Sequence, residues 1–392
     1  MAATEQSPLD LEDAVSRRYA DAARAVESEL CCPVSYDHGL LGALPAEVVE
    51  RDYGCGDPSR HVRPGERVLD LGSGSGKVCF IASQVVGREG SVIGIDMNDE
   101  MLALARRAAP LVADRIGYGN VRFGKARIQN LALDLDRLDA WLRANPVSSA
   151  RDFDRLQTEI ERLEIEAPLV PADSIDVVVS NCVLNLVRQE DKPRLFREIF
   201  RVLRRGGRAV ISDIVSDEDV PRHLQQEPDL WSGCISGAPR EDRFLEAFEA
   251  AGFYGVSIVS RAEQPWRTVE GIEFRSVTVA AYKGKEGACL DHKEAVIYRG
   301  PFREVRDDDG HGLRRGVRTA VCRKTFEILT REPYRSHVEP VEPRVAVEPA
   351  GARPFACTQG IVRRDPRETK GAAYQATTEP AGPVCSSGEG CC

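Results

Sequence analysis

No apolar run in this 392-residue chain approaches the roughly 18–20 residues that a membrane-spanning helix needs. The opening stretch, Met1 to Asp10, lacks the basic-then-apolar pattern of a secretory signal. An excess of positive charge is missing too. The formal net charge is −9, so neither nucleic acid nor a membrane surface is an expected partner. No internal repeat is visible. The chain has no G-x-S-x-G elbow and no H-E-x-x-H, which argues against an activated serine or a zincin centre. By default these absences place the protein in the cytoplasm, where thiols stay reduced. Twelve cysteines there are expected to be ligands, redox centres or buried hydrophobes rather than a disulfide framework.

Two glycine motifs are also absent, and their absence narrows what is present. In Arg67-Val-Leu-Asp-Leu-Gly-Ser-Gly-Ser-Gly76 a dinucleotide pattern would need glycine at Lys77 or, in the shifted frame, at Cys79. A P-loop would need glycine at Leu71 and a hydroxyl residue at Val78. What remains is a short buried strand, a tight turn through Gly72, Gly74 and Gly76, and a helix from Lys77. Glycines there let a ligand touch the backbone, and Gly74 is expected to leave no room for a side chain. Ser91-Val-Ile-Gly-Ile-Asp96 reads as a second strand ending in a carboxylate, suited to ribose hydroxyls. A nucleoside site is the reading. A plain strand–helix turn is the alternative.

The remaining apolar runs extend this pattern. Val121–Phe123, Ile175–Ser180, Arg208–Asp213, Gly255–Arg261 and Phe274–Tyr282 read as strands, with helical segments between the earlier ones. Alternation predicts an α/β fold, a mostly parallel sheet covered by helices on both faces. Leu11–Leu30 reads as an amphipathic helix with Val15, Tyr19 and Val26 on one side. Asn98 and Asp191 are expected helix caps. Leu131, Leu135, Leu138 and Leu142, then Phe153, Leu156, Ile160 and Leu163, predict two accessory helices in an insertion at about 131–165. The expected divisions are an N-terminal helical segment (1–63), a nucleoside-binding domain (64–283), a small C-terminal α+β domain (291–344) and a disordered, cysteine-containing tail (345–392).

Three cysteines sit in telling contexts. Cys55 lies in a glycine loop, Cys182 follows the fourth strand, and Cys234 lies in a loop after the fifth. Ligands of open parallel sheets bind outside the carboxyl ends of the strands, so three thiols could converge there. Their spacings, 127 and 52 residues, match no zinc module. Burial as core residues is the competing reading.

Val-Leu-Asp-Leu-Gly-x-Gly-x-Gly resembles the first motif of the seven-stranded S-adenosylmethionine-dependent methyltransferases. That resemblance implies a Rossmann-like sheet whose last pair is antiparallel. It places Asp70, Gly72, Gly74 and Gly76 at the methionine part of the donor and Asp96 at the ribose, with Met97 and Ile128 as looser candidates for the adenine. Tyr53-Gly-Cys-Gly-Asp-Pro, Ser180-Asn-Cys-Val-Leu-Asn-Leu and Trp231-Ser-Gly-Cys-Ile-Ser-Gly-Ala resemble the cysteine segments of the arsenite methyltransferases. The Ile297-Tyr-Arg-Gly-Pro-Phe run resembles that family's C-terminal domain. Many relatives carry Glu where this chain has Gly233.

The family resemblance implies that Cys55, Cys182 and Cys234 hold trivalent arsenic as thiolates. Arsenite and methylated arsenicals would be the ligands, and mono- and dimethylated arsenicals the products of a detoxification. Cys31 or Cys32 would pair with Cys55 in the redox step, and glutathione or thioredoxin would be the reductant. Two other functions fit the same residues. One is a small-molecule O- or C-methyltransferase with incidental cysteines. The other is a non-catalytic metalloid-sequestering protein, which the tail residues Cys385, Cys391 and Cys392 suit.

Overall fold

A computed structural model describes residues 8–27, 30, 34–357, 360–371 and 373–375. The chain divides into two compact units, Met1–Gly284 and Lys285–Cys392. Cys31, Cys32, Cys385, Cys391 and Cys392 lie outside the described residues.

The first unit begins with α1 (Pro8–Ala22), α2 (His38–Leu41) and α3 (Ala46–Glu50). Next come β1 (Arg67–Leu71), α4 (Lys77–Val86), β2 (Ser91–Asp96), α5 (Asp99–Ile116) and β3 (Val121–Lys125). The insertion supplies α6 (Leu135–Ala144) and α7 (Ala150–Glu166), followed by β4 (Ile175–Asn181), α8 (Lys192–Val202) and β5 (Leu203–Ser216). The unit closes with α9 (Arg222–Gln225), α10 (Pro228–Ser232), α11 (Glu241–Ala250), β6 (Tyr254–Arg261), β7 (Arg267–Val269) and β8 (Ile272–Tyr282).

The sheet order is β3-β2-β1-β4-β5-β8-β6, with the short β7 added beside β8. β1 to β5 pair in parallel, and β8 runs antiparallel to β5 and β6. This is the seven-stranded α/β sheet that the alternating pattern predicts. Strands buried on both faces need apolar residues at successive positions, and β4 is buried along its whole length. One apolar layer joins the sheet to α8 and α11 through Leu195, Phe196, Phe244 and Phe248. The other joins it to α4 and α5.

Tyr36, Leu44, Val48 and Val62 belong to that second layer, packed with Val78 and Phe80. The described part of the segment 1–63 is therefore built into the first unit by burial of its own apolar residues. α1 stops at Ala22, short of the expected Leu30. Asn98 caps α5 by accepting the Met101 N–H at 3.1 Å. Asp191 stands at the N-cap position of α8, but its side chain makes no capping bond.

The second unit comprises β9 (Leu290–Asp291), β10 (Ala295–Tyr298), β11 (Glu304–Arg306), β12 (Gly312–Arg314), β13 (Arg318–Ala320), α12 (Arg323–Leu329), β14 (Val338–Val341), β15 (Arg353–Pro354) and α13 (Pro366–Lys370). Order extends past residue 345, where composition reads as a disordered tail. β15 pairs with β9. Arg364, only 4% exposed, bonds Asp291 at 2.7 Å and donates to the Glu294 carbonyl at 2.9 Å. Composition does not register one buried arginine whose fork is fully matched, and that group ties the segment down.

Candidate functional site

In the first unit the sheet order reverses between β1 and β4, and a cavity of about 190 Å³ opens at that edge. Asp70, Gly72, Gly74, Asp96, Met97, Ile128 and Cys182 line it. The turn after β1 is pinned by the Gly72 and Ser73 N–H groups, which donate to the Ile95 carbonyl at 2.7 and 2.9 Å. Asp96 accepts the Gly74 N–H and the Asn98 N–H, each at 2.8 Å.

The three glycines do different work. Gly72, at φ +67°, could carry no Cβ, because it would lie 2.5 Å from a Val183 methyl carbon. Gly76 does not line the cavity. It turns into the core, where a Cβ would meet the Phe123 ring at 2.8 Å. Gly74 differs from the expectation. A Cβ there would meet no protein atom within 4 Å, so its constraint is the left-handed φ of +51° and whatever occupies the cavity.

Burial shapes the charges. Asp70 is 2% exposed, and burial raises its carboxyl to about 8; the Cys79 thiol donates to it at 3.2 Å. Asp96 is raised for the same first reason, partly offset by the backbone N–H groups it accepts. The Ser73 hydroxyl is buried with no hydrogen-bond partner. Two carboxylates, an unsatisfied hydroxyl and an open glycine cradle fit a ligand carrying an ammonium group and a ribose diol. S-adenosylmethionine is such a ligand. Met97 stands half-exposed and Ile128 is buried, both on the cavity wall.

Cys55, Cys182 and Cys234 meet in one apolar cluster with Ile214, Ile235 and Phe274. Cys55 and Cys182 are joined by a disulfide, with Cα atoms 5.8 Å apart. The other expected partners of Cys55, Cys31 and Cys32, lie outside the described residues. Asn181, the last residue of β4, holds the Cys55 loop beside Cys182. Its Oδ1 accepts the N–H groups of Cys55 and Gly56 at 2.9 and 3.0 Å, and its Nδ2 donates to the Gly56 carbonyl at 2.7 Å. Ser276 Oγ donates to the Cys55 carbonyl at 2.6 Å. The Cys234 thiol donates to the Cys182 carbonyl at 3.0 Å, and the Tyr19 hydroxyl lies 3.8 Å from its sulfur. Cys182 and Cys234 both hold left-handed backbone, φ +58° and +61°. Such strain in non-glycine residues clusters at functional sites.

Sequence reasoning misses the role of Asn181 and the placement of α1. Glu12, Val15, Ser16 and Tyr19 of α1 line the cavity. Arg18 donates to the Asp229 carbonyl and to Ser232 Oγ, each at 3.0 Å, tying α1 to α10 beside Cys234. The signal available was the pairing of Val15 and Tyr19 on one helix face. Gly233 caps α10, and a Cβ there would sit 3.6 Å from Arg18 Nη1.

Gly54 supplies a test of the clamp. A Cβ there would lie 2.7 Å from the Asn181 amide carbon, with the rest of the amide equally in the way. Gly54→Ala is expected to push the loop off Asn181, at a cost of about 1–3 kcal/mol. Non-reducing peptide mapping should show at least a severalfold drop in the Cys55–Cys182 linkage, with thermal unfolding as the control. An unchanged linkage would show that the clamp does not position Cys55.

The cavity, sheet order and glycine turn define a methyltransferase of the S-adenosylmethionine-dependent class. A family profile described as a methyltransferase domain matches residues 63–167 and 143–252, and one described as a domain of unknown function, DUF8838, matches 285–374. The arsenite methyltransferase of Aquipseudomonas alcaligenes is 31% identical over 332 residues, 80% of this chain and 85% of that protein. The arsenite methyltransferase of Halobacterium salinarum is 32% identical over 66% of this chain and 61% of that protein. The crystal structure of CrArsM, an arsenic(III) S-adenosylmethionine methyltransferase from Chlamydomonas reinhardtii, matches with a TM-score of 0.54 at 26% identity, covering 81% of this chain and 99% of that one. The chain belongs to the arsenite methyltransferase family.

Proposed function

We propose that this protein methylates trivalent arsenic held by the thiolates of Cys55, Cys182 and Cys234, with S-adenosylmethionine as donor. The observation that carries the reading is the three cysteines gathered in one apolar cluster, one of them also on the wall of the donor-shaped cavity. Asp70 and the turn at Gly72 and Gly74 hold the methionine end, Asp96 the ribose, and Met97 and Ile128 the adenine. Bound there, S-adenosylmethionine supplies an electrophilic methyl group that the arsenic lone pair can take, so no general base is required.

The residues of the chain then do three things. They exchange the oxygens of arsenite for sulfur, since soft thiolates prefer a soft centre. Their apolar surroundings keep water from the reacting atoms. Two of them also supply electrons: methylation formally oxidises arsenic, and Cys55 and Cys182 return it to the trivalent state by giving up an electron pair and closing their disulfide. A thiol reductant, glutathione or thioredoxin, reopens that bond for the next turnover, which suits a reducing cytoplasm. Mono- and dimethylated arsenicals are the products, and detoxification the role. No helix among the described residues is long and apolar enough to cross a membrane.

Incubation with arsenite, S-adenosylmethionine and a thiol reductant, with arsenic products separated by chromatography, tests the reading. Absence of methylated arsenicals would refute it. Asp96→Ala is expected to weaken donor binding about tenfold or more, the worth of a charge-assisted hydrogen bond. Calorimetric affinity equal to the wild type would remove Asp96 from the donor site.

A further inference from the structure

The second unit contains a thiol cluster that the reaction does not use. The sulfurs of Cys289, Cys322 and Cys357 lie within 4.8 Å of one another, Cys322 buried and the other two half-buried. Intervals of 33 and 35 residues separate them, so no local motif announces the cluster. Tertiary structure assembles it. Cys289 directly precedes β9 and Cys357 follows β15, the two strands paired through Asp291 and Arg353. The Phe355 N–H donates to the Cys289 carbonyl at 2.8 Å. Cys322 caps α12, its sulfur accepting the Thr325 N–H at 3.4 Å.

His311 of the same unit lies outside the 4.8 Å group but keeps a donor atom in reserve. Its Nδ1 is 2.7 Å from Asp307 Oδ2, while its buried Nε2 has no hydrogen-bond partner. A carboxylate holding one ring nitrogen, with the other left over, is the arrangement that orients a metal-ligating histidine. The unit also needs a staple. Its strands are two to four residues long, and among the described residues its main apolar cluster gathers seven buried side chains, Val296 and Phe326 among them. Small folds with so little core commonly depend on a metal or disulfides.

We propose that Cys289, Cys322 and Cys357 are the thiolate ligands of a zinc ion that staples the C-terminal unit, with His311 as the fourth donor. Zinc about 2.3 Å from each sulfur sets neighbouring sulfurs about 3.8 Å apart, so the cluster closes with small side-chain shifts. The three thiols lose their protons on binding, and the metal's two positive charges are neutralised locally. No electron transfer is involved.

The full-length chain is the test material. Cys55→Ser/Cys182→Ser/Cys234→Ser removes the methylation thiols and leaves this cluster intact. Mass spectrometry of metals is expected to find about one zinc per chain in the wild type and in that triple variant. Cys289→Ser/Cys357→Ser should lower zinc affinity at least a hundredfold in chelator competition, and His311→Ala at least tenfold. Cobalt(II) added to metal-stripped wild type should give thiolate-to-cobalt charge-transfer absorption and the intense visible bands of a tetrahedral site, a readout that needs no variant.

A wild-type chain that retains no stoichiometric zinc and gives no such cobalt spectrum overturns the proposal. So does zinc retained in the double cysteine variant, or arsenite filling these thiols in the triple variant without competition from zinc. Unchanged affinity in His311→Ala overturns the fourth ligand. Because the triple variant lacks the proposed arsenic site, failure here is separable from failure of the methylation reading.

Discussion

Cys182→Ser and Cys234→Ser are each expected to lower the initial rate of arsenite methylation by about a thousandfold or more. Serine preserves shape but is a hard, protonated donor, and a soft centre does not exchange its ligands for it. Cys182 lines the donor cavity, and Cys234 is fixed 3.0 Å from its carbonyl. Both thiols are therefore expected to be needed at every methylation. Cys55 differs, because it arrives on a separate loop held by Asn181.

Arsenite has three exchangeable oxygens, whereas its monomethylated trivalent product has two. Cys55→Ser is expected to abolish turnover of arsenite but to leave substantial turnover of the monomethyl substrate when excess thiol reductant replaces the missing electron donor. Initial rates on both substrates, with circular dichroism as the folding control, decide it. Equal loss in all three variants on the monomethyl substrate would end this division of labour. Full activity of Cys182→Ser on both substrates would remove the thiol site itself.

Donor affinity should fall steeply with acidity, and Asp70 should be the cause. Burial raises its carboxyl from the ordinary 3.8 to about 8, so it is mostly protonated at neutral pH while the cavity is empty. An ammonium group beside it favours the carboxylate. Binding therefore releases a proton below about pH 8 and none above. The sign follows: affinity is full above that pH and drops up to about tenfold per pH unit below it. Between pH 8 and pH 6 the dissociation constant should rise by several tens of fold. Calorimetry in buffers of different ionisation enthalpy counts the released proton.

Asp70→Asn should bind weakly at pH 8 and show a much flatter profile. It should not unfold at a lower temperature than the wild type at that pH, because a buried carboxylate with a raised value loses stability as pH climbs above 3.8. A wild-type affinity constant from pH 6 to 8 would show that Asp70 does not face the charged end of the donor.

The sequence alone determined whatever depends on neighbours along the chain. Alternating apolar runs fixed the strands of the sheet, because burial on both faces admits little else. Gly72 and Asp96 were legible because a tight turn and a strand-end carboxylate leave short, oriented signatures. The Gly72–Gly76 turn could not be divided into cavity and core positions without knowing where Phe123 lies.

Only the tertiary structure decided what depends on residues far apart in sequence. Asn181, one residue before Cys182, draws in a loop 125 positions earlier and so brings Cys55 to Cys182. Packing of Tyr36 and Val48 against Val78 and Phe80 makes the N-terminal segment part of the first unit. Arg364 extends the second unit into a stretch whose composition reads as disordered. Cys289, Cys322 and Cys357 meet through the β9–β15 ladder and the start of α12. Each of these rests on long-range hydrogen bonding or burial, whose energy is realised only once the chain has folded, and no periodicity along the sequence encodes it.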